Sequence, residues 1–297
     1  MQRTSYKITV TEHNRGNVPQ FTVRPGEVFE AETQLCSGDW LYKMDDVFVP
    51  ELYTGPNPTV VVAVEGAAPG DSLVVHIHGI IPDEIGYTGF VARENSLANK
   101  IIDRDWGNNL RYVHIKDGFV HFAPGKLIPV SPMIGTLGTA PSGAPAANSR
   151  GGRHGGNMDA QVVRAGAKVT LPVEVPGALL HIGDVHAVQG DGEINGAGGI
   201  ECRSLVTLSV ELIKRPARTN CVRVESETHI SAVACEGEIY ECCTAAIREL
   251  LYWINDEYGM DEREAYLLLG QVMDIRVPQL VNPTRTITAT VAKSELV

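Results

Sequence analysis

Thirty glycines and 17 prolines punctuate this 297-residue chain, and the apolar runs between them are short and rich in valine, isoleucine and threonine. Such punctuation leaves little room for long helices and favours strands joined by tight turns. Residues 6–10 (YKITV), 59–64 (TVVVAV), 72–80 (SLVVHIHGI), 168–175 (KVTLPVEV), 204–213 (SLVTLSVELI) and 286–292 (TITATVA) all read as strands, several with period-two alternation. The turns agree. Arg24-Pro25-Gly26, Ala68-Pro69-Gly70-Asp71, Arg164-Ala165-Gly166 and Val175-Pro176-Gly177 each put glycine where a reversal needs positive φ.

Helical spacing comes late. Residues 241–255 (ECCTAAIRELLYWIN) and 261–274 (DEREAYLLLGQVMD) carry it, the second opened by Asp261 with Glu264 three positions on, a variant of the capping box. The expected fold is therefore α+β and β-rich: an antiparallel β-sandwich or barrel body with a few late helices packed on one side. The expected division is a β-rich body over 1–215, carrying the catalytic loop and the chemistry, and a smaller α+β portion over 216–297 that completes the fold. Residues 132–159 are dominated by Gly, Ala, Ser, Pro and Asn and read as one long loop, functional or disordered.

Charge and composition narrow the partners. With 25 Lys+Arg against 36 Asp+Glu, a formal charge of −11 and no basic cluster, nucleic acid is not expected. No apolar run approaches the roughly 18–20 residues of a spanning helix, so no membrane is expected, and the opening residues lack an export signal, which points to the cytoplasm. None of the six cysteines forms a C-x-x-C pair, so reduced, mostly buried thiols are expected, the adjacent Cys242 and Cys243 being the exception to watch.

The densest ionisable cluster is His181-Ile-Gly-Asp184-Val-His186-Ala-Val-Gln189-Gly-Asp191-Gly-Glu193, followed by Glu201. If the strand continues through it, Asp184 and His186 lie two apart on one face and can offer oxygen and nitrogen donors to a divalent cation. Two readings stay open: a metal or acid–base site, or a polar hairpin in which Asp191-Gly192 and Asn195-Gly196 only make turns. His76 and His78 share a strand face without an adjacent carboxylate, and a structural role suits them better. A serine nucleophile ranks lower: there is no G-x-S-x-G elbow, although Ser142 and Ser149 lie in the same segment as His154.

The run from Gly183 to Glu193, GDVHAVQGDGE, followed by Glu201, resembles the signature of the acetamidase/formamidase family, and Gly155-Gly156-Asn157-Met158-Asp159 looks like that family's second motif. Thr54-Gly55-Pro56, Val64-Glu65-Gly66-Ala67, Pro69-Gly70-Asp71, Pro132-Met133-Ile134-Gly135, Gly138-Thr139-Ala140-Pro141 and residues 261–283 are similar to its other segments, in order. The resemblance implies a metal-dependent amidase that splits short aliphatic amides, of the formamide or acetamide type, into carboxylate and ammonia. It implies Asp159, Asp184 and His186 as metal ligands with Glu201 as a fourth or supporting group, Glu193 as general base and then acid, and Asp191 and Gln189 orienting water or amide. Zinc suits the His/Asp mixture best, with calcium or magnesium as alternatives. A homo-oligomer, dimer or tetramer, is implied as well. The competing expectations are a metal- or ligand-binding β protein without turnover, and an assembly subunit joined through the late helices. Against the latter stand 13 acidic and 6 basic residues after position 220.

Overall fold

The computed structural model describes residues 1–48, 50–53, 55–90, 97–107, 109–214 and 220–297. Strand Ser204–Ile213 shows how alternation builds it: Val206, Leu208 and Val210 are fully buried while Thr207, Ser209 and Glu211 turn outward. It lies in an antiparallel sheet of eight strands, ordered Asp274–Gln279, Arg285–Ala292, His229–Glu236, Val222–Glu225, Lys168–Pro172, Ser72–Pro82, Ser204–Ile213 and Val28–Thr33. A second sheet runs Gly151–Gly152, Gly155–Asn157, Met133–Gly138, Leu180–His186, Ala197–Cys202, Ile85–Phe90, Asn109–Lys116, Phe119–Ala123 and Lys126–Pro129. Thr59–Val64 also pairs with Leu180–His186, and Phe21–Val23 joins it in parallel.

The two sheets share one core. Val60, Val62, Ile134 and Ile182 from one sheet meet Leu73, Val75, Leu171 and Leu208 from the other. Thr59–Val64 and Leu180–His186 are buried along their whole length, so the former reads as an unbroken apolar run. The polar side chains in Leu180–His186 are therefore carried into the interior.

Helix Ile239–Tyr258 buries Ala246, Leu250, Trp253 and Ile254 as a single stripe and ends at Gly259 in the left-handed region. With helix Glu262–Val272 it covers Ile230, Ala232, Ala234, Ile287, Ala289 and Val291 at one end of the eight-stranded sheet. The opposite face of the same strand sends Val233 and Cys235 into the main core. The helices thus lie on one side of a β body, as expected. Asp261 caps the second helix, its carboxylate accepting from Arg263 N at 3.0 Å, whereas the Glu264 half of the expected box pairs with Arg263 instead.

Three expectations need comment. Residues 6–10 form a turn rather than a strand, with only Val10 bridging to Thr59. Residues 132–159 are not a loose loop: Met133–Gly138 is wholly buried, and the short strands that follow pack so closely that a Cβ on Gly151 would lie 2.5 Å from Cys235 Sγ. Small side chains there serve close packing rather than freedom. The expected boundary at 215 falls among residues 215–219, outside the described residues, and the strands after it continue the eight-stranded sheet.

A buried ion pair ties the first helix to the sheet. Arg223 Nε lies 2.6 Å from Glu249 Oε1, and Glu249 Oε2 accepts from Asn220 N at 2.8 Å. Removing one partner leaves the other charge uncompensated in the interior. Glu249→Ala is expected to lower unfolding free energy by about 3–5 kcal/mol, and Arg223→Met with Glu249→Leu to recover most of it, measured by denaturant titration.

Candidate active site

Strand Leu180–His186 carries two of the key donors, and its geometry is irregular where they sit. Asp184 adopts φ +57°, and Asp159 and Glu193 adopt +47° and +44°. Left-handed backbone is costly for residues with a side chain and persists where the surroundings enforce it. Here it turns three carboxylates inward. Asp159, Asp184 and His186 each offer a ligand atom, all within 4.8 Å of one another, and Cys36, Asp184 and Glu201 do the same. Asp159, Asp184, His186 and Glu201 are at most 2% exposed.

The supporting contacts are specific. Asn57 Nδ2 donates to Asp184 Oδ2 at 2.8 Å, Thr136 Oγ1 to the same oxygen at 3.1 Å, and Asn282 Nδ2 to Asp159 Oδ2 at 2.7 Å. Gln189 uses its amide nitrogen on the carbonyls of Asp159 and Pro278, so its Oε1 must accept from His186 Nδ1, 2.6 Å away. That fixes the tautomer and leaves Nε2 facing Asp184 Oδ1 at 3.4 Å and Glu201 Oε2 at 3.5 Å. Gly135 is obligatory: a Cβ there would lie 2.5 Å from Asp159 Oδ1 and 2.8 Å from Asp184 Oδ2.

Among the described residues, three buried carboxylate oxygens lack a hydrogen bond: Asp159 Oδ1, Glu193 Oε2 and Glu201 Oε2. Burial and neighbouring negative charge push Asp159 well above the usual carboxylate range, and push Glu193 and Glu201 up to about 8. Burial opposes a charge on His186, yet Glu201, Asp184 and Asp159 hold its pKa well above the ordinary value. Orphaned buried oxygens beside an oriented imidazole are the donor set a divalent cation requires.

The expected site residues divide accordingly. Asp159, Asp184, His186, Glu193 and Glu201 come together. Gln189 sits behind His186 with both ends of its amide engaged, so it orients the imidazole rather than water. Asp191 does not join them: its carboxylate turns outward to Arg276, 2.9 Å away, and accepts from Gln161. The expected role of orienting water or amide therefore does not fit Asp191. Ser142 donates to Glu174 and makes no contact with a histidine, while His76 faces Glu211 and His78 bonds Ser209 on the other sheet. His181 and His154 instead pack with buried His13, at ring-centroid distances of 4.2 and 4.9 Å from it. Burial holds His154 and His181 down to about 4, so this stack is neutral at pH 7.

Sequence reasoning missed Cys36, Asn57, Thr136 and Asn282. Asn57 lies next to, and Asn282 within, a segment that carries the family resemblance, whereas nothing around Cys36 singled it out. Thr54, also part of that resemblance, lies outside the described residues. A cavity of about 640 Å³ is lined by Cys36, Asn57, Asn157 and Asn282 and by an apolar wall of Trp40, Phe48, Tyr87 and Leu110. That volume is within the roughly 300–1,000 Å³ of small-molecule pockets.

Antiparallel sheets that bury carboxylates and an imidazole beside such a cavity define a β-rich protein with an enzyme-like, hydrolytic type of centre. The family model described as the Acetamidase/Formamidase family matches residues 2–150 and 142–292, and the chain belongs to that family. It is 29% identical to the acetamidase of Mycolicibacterium smegmatis, over 88% of this chain and 85% of that one. It is also 29% identical to the formamidase of Methylophilus methylotrophus, over 68% of this chain and 64% of that one. Among solved structures, the acetamidase of Bacillus halodurans superposes with a TM-score of 0.90 at 30% identity, covering 98% of this chain and 97% of the other.

The raised carboxyl groups have a consequence for stability. With metal ions removed, folded Glu193 and Glu201 keep their protons up to about pH 8, whereas unfolded chains release them near 4.5. Unfolding is then favoured increasingly as pH rises between those values, by up to about 1.4 kcal/mol per pH unit for each group. Chelated, dialysed protein is expected to melt at progressively lower temperature from pH 5.5 to 8, with a shallower slope in Glu201→Gln, read by circular dichroism.

Proposed function

We propose that this chain hydrolyses the C–N bond of short aliphatic amides, of the formamide or acetamide type, to carboxylate and ammonia, using water activated at a divalent cation. Convergence of Asp159, Asp184 and His186 from distant segments into one buried cluster, with carboxylate oxygens left unpaired, carries the reading. Relatives named acetamidase and formamidase support the substrate class.

An amide is a weak electrophile with a poor leaving group, so it needs an activated nucleophile, a stabilised oxyanion and a proton donor for the departing nitrogen. Asp159, Asp184 and His186, with Glu201, would hold the cation, zinc ahead of calcium or magnesium because of the imidazole. When bound, the cation lowers the pKa of a water and polarises the amide carbonyl. The protein's own residues do the rest. Gln189 keeps His186 Nε2 turned to the site, and Asn57, Thr136 and Asn282 hold the two aspartates. Glu193, buried beside Asp159, takes the proton from water and returns it to the nitrogen as ammonia leaves.

The proposal places the enzyme in the cytoplasm as a homo-oligomer, dimer or tetramer; no described helix is long and apolar enough to cross a membrane. The competing reading, a binding protein without turnover, has no need of Glu193. Glu193→Gln is expected to bind metal normally while ammonia release from acetamide or formamide falls by about 100-fold or more. No ammonia release from wild-type, metal-replete protein would leave the binding reading in its place.

A further inference from the structure

Four carboxylates and one imidazole share the buried cluster, and among the described residues no lysine or arginine forms an ion pair with Asp159, Asp184, Glu193 or Glu201. With all four carboxylates ionised, a single divalent cation leaves two negative charges uncompensated in an interior where isolated charge is strongly disfavoured. A second cation offsets those two, and a Cys36 thiolate among its ligands adds one negative charge back. The geometry offers it a separate seat, because Cys36 and Glu201 form with Asp184 a triad distinct from the Asp159, Asp184 and His186 group. Glu201, 2% exposed, has an Oε2 without a hydrogen bond that lies 3.5 Å from His186 Nε2, so Glu201 borders both groups.

The environment of Cys36 adds an independent indication. Trp40 Nε1, which can only donate, bonds Ser37 Oγ at 2.8 Å. The Ser37 hydroxyl lies 2.6 Å from Tyr87 Oη, and Tyr87 Oη lies 3.0 Å from Cys36 Sγ. With Ser37 accepting from Trp40, the Tyr87 hydroxyl lies within hydrogen-bond reach of both Ser37 Oγ and Cys36 Sγ. Burial beside Glu201 and Asp184 pushes the metal-free thiol up, and the Tyr87 hydroxyl is placed to donate to the thiolate, the form in which cysteine ligates metal. Cys235 and Cys202 each meet a hydroxyl, Cys202 also points at the carbonyl of Val185, and Cys242 accepts from Glu236 N and donates to the carbonyl of Arg285; none of the three stands beside two buried carboxylates in a group like that of Cys36.

We propose that Cys36, Glu201 and Asp184 form a second cation site, that Asp184 is common to both sites, and that the thiolate selects a borderline cation such as zinc over calcium or magnesium. The inference rests on reading the cluster as a metal centre and extends it from one ion to two. Asp184 suits the shared position: its two oxygens are separately engaged, Oδ1 toward His186 and Oδ2 by Asn57 and Thr136.

Purified full-length protein saturated with zinc is expected to hold two ions per chain by elemental analysis. Its X-ray absorption spectrum is expected to contain a sulfur scatterer at about 2.3 Å. Cobalt-substituted protein is expected to show a near-ultraviolet thiolate-to-metal absorption. Cys36→Ser should lose that band and the sulfur shell and retain one ion, while Asp159→Asn, on the other triad, should keep the band. One ion per saturated wild-type chain, or two ions with no sulfur scatterer, overturns the proposal, and neither measurement depends on a variant folding. The reading of function is tested apart: ammonia release with a single, sulfur-free ion sinks the second site alone, whereas two ions without amide hydrolysis sink the amidase reading alone.

Discussion

Mutual repulsion among buried carboxylates is the constraint around which this protein is arranged. Asp159, Asp184, Glu193 and Glu201 would move apart if the backbone allowed it, and because it does not, Asp159, Glu193 and Glu201 hold their protons more tightly. Fully buried strands prevent the separation: Leu180–His186 is flanked by Met133–Gly138 on one side and by Thr59–Val64 and Ala197–Cys202 on the other. Amide and hydroxyl donors from Asn57, Thr136 and Asn282 hold the two aspartates in place, and Gln189 fixes the one imidazole among them. The shared core of the two sheets is thus also the clamp that keeps like charges close.

The same constraint explains why small residues crowd one part of the chain. Gly135 leaves room for two carboxylates, a Cβ at Gly198 would collide with Glu193, Gly155 lets its strand press against Met133–Gly138, and Gly156 leaves room for Arg150 O and His154. Neighbouring side chains hold Asp159, Asp184 and His186 in place, so these groups are positioned before a substrate arrives.

Much of this was legible in the sequence, for physical reasons that can be named. Strands such as Ser204–Ile213 announce themselves by alternation, and the late helices by their apolar stripes. The pairing of Asp184 with His186 followed from a spacing of two, although the left-handed turn at Asp184 means that simple strand alternation is not what aims it. Asp191 misled because composition cannot tell an inward carboxylate from one that a distant arginine draws to the surface. Residues 132–159 misled because glycine and alanine signal looseness in a turn and tight packing in a core with the same letters. Cys36 and Asn282 escaped because long-range folding, not local pattern, brings them to the cluster.

The positive φ at Asp159, Asp184 and Glu193 bears on how such a centre can change over evolutionary time. Asparagine and glycine tolerate that backbone, and only asparagine also preserves the shape of aspartate. Lengthening either aspartate to glutamate, a routine exchange on a surface, would add a methylene where Gly135 already marks the limit of space. Descendants of this chain therefore have few neutral steps at these positions: loss of charge comes easily, whereas a rearranged set of ligands requires the backbone itself to be rebuilt.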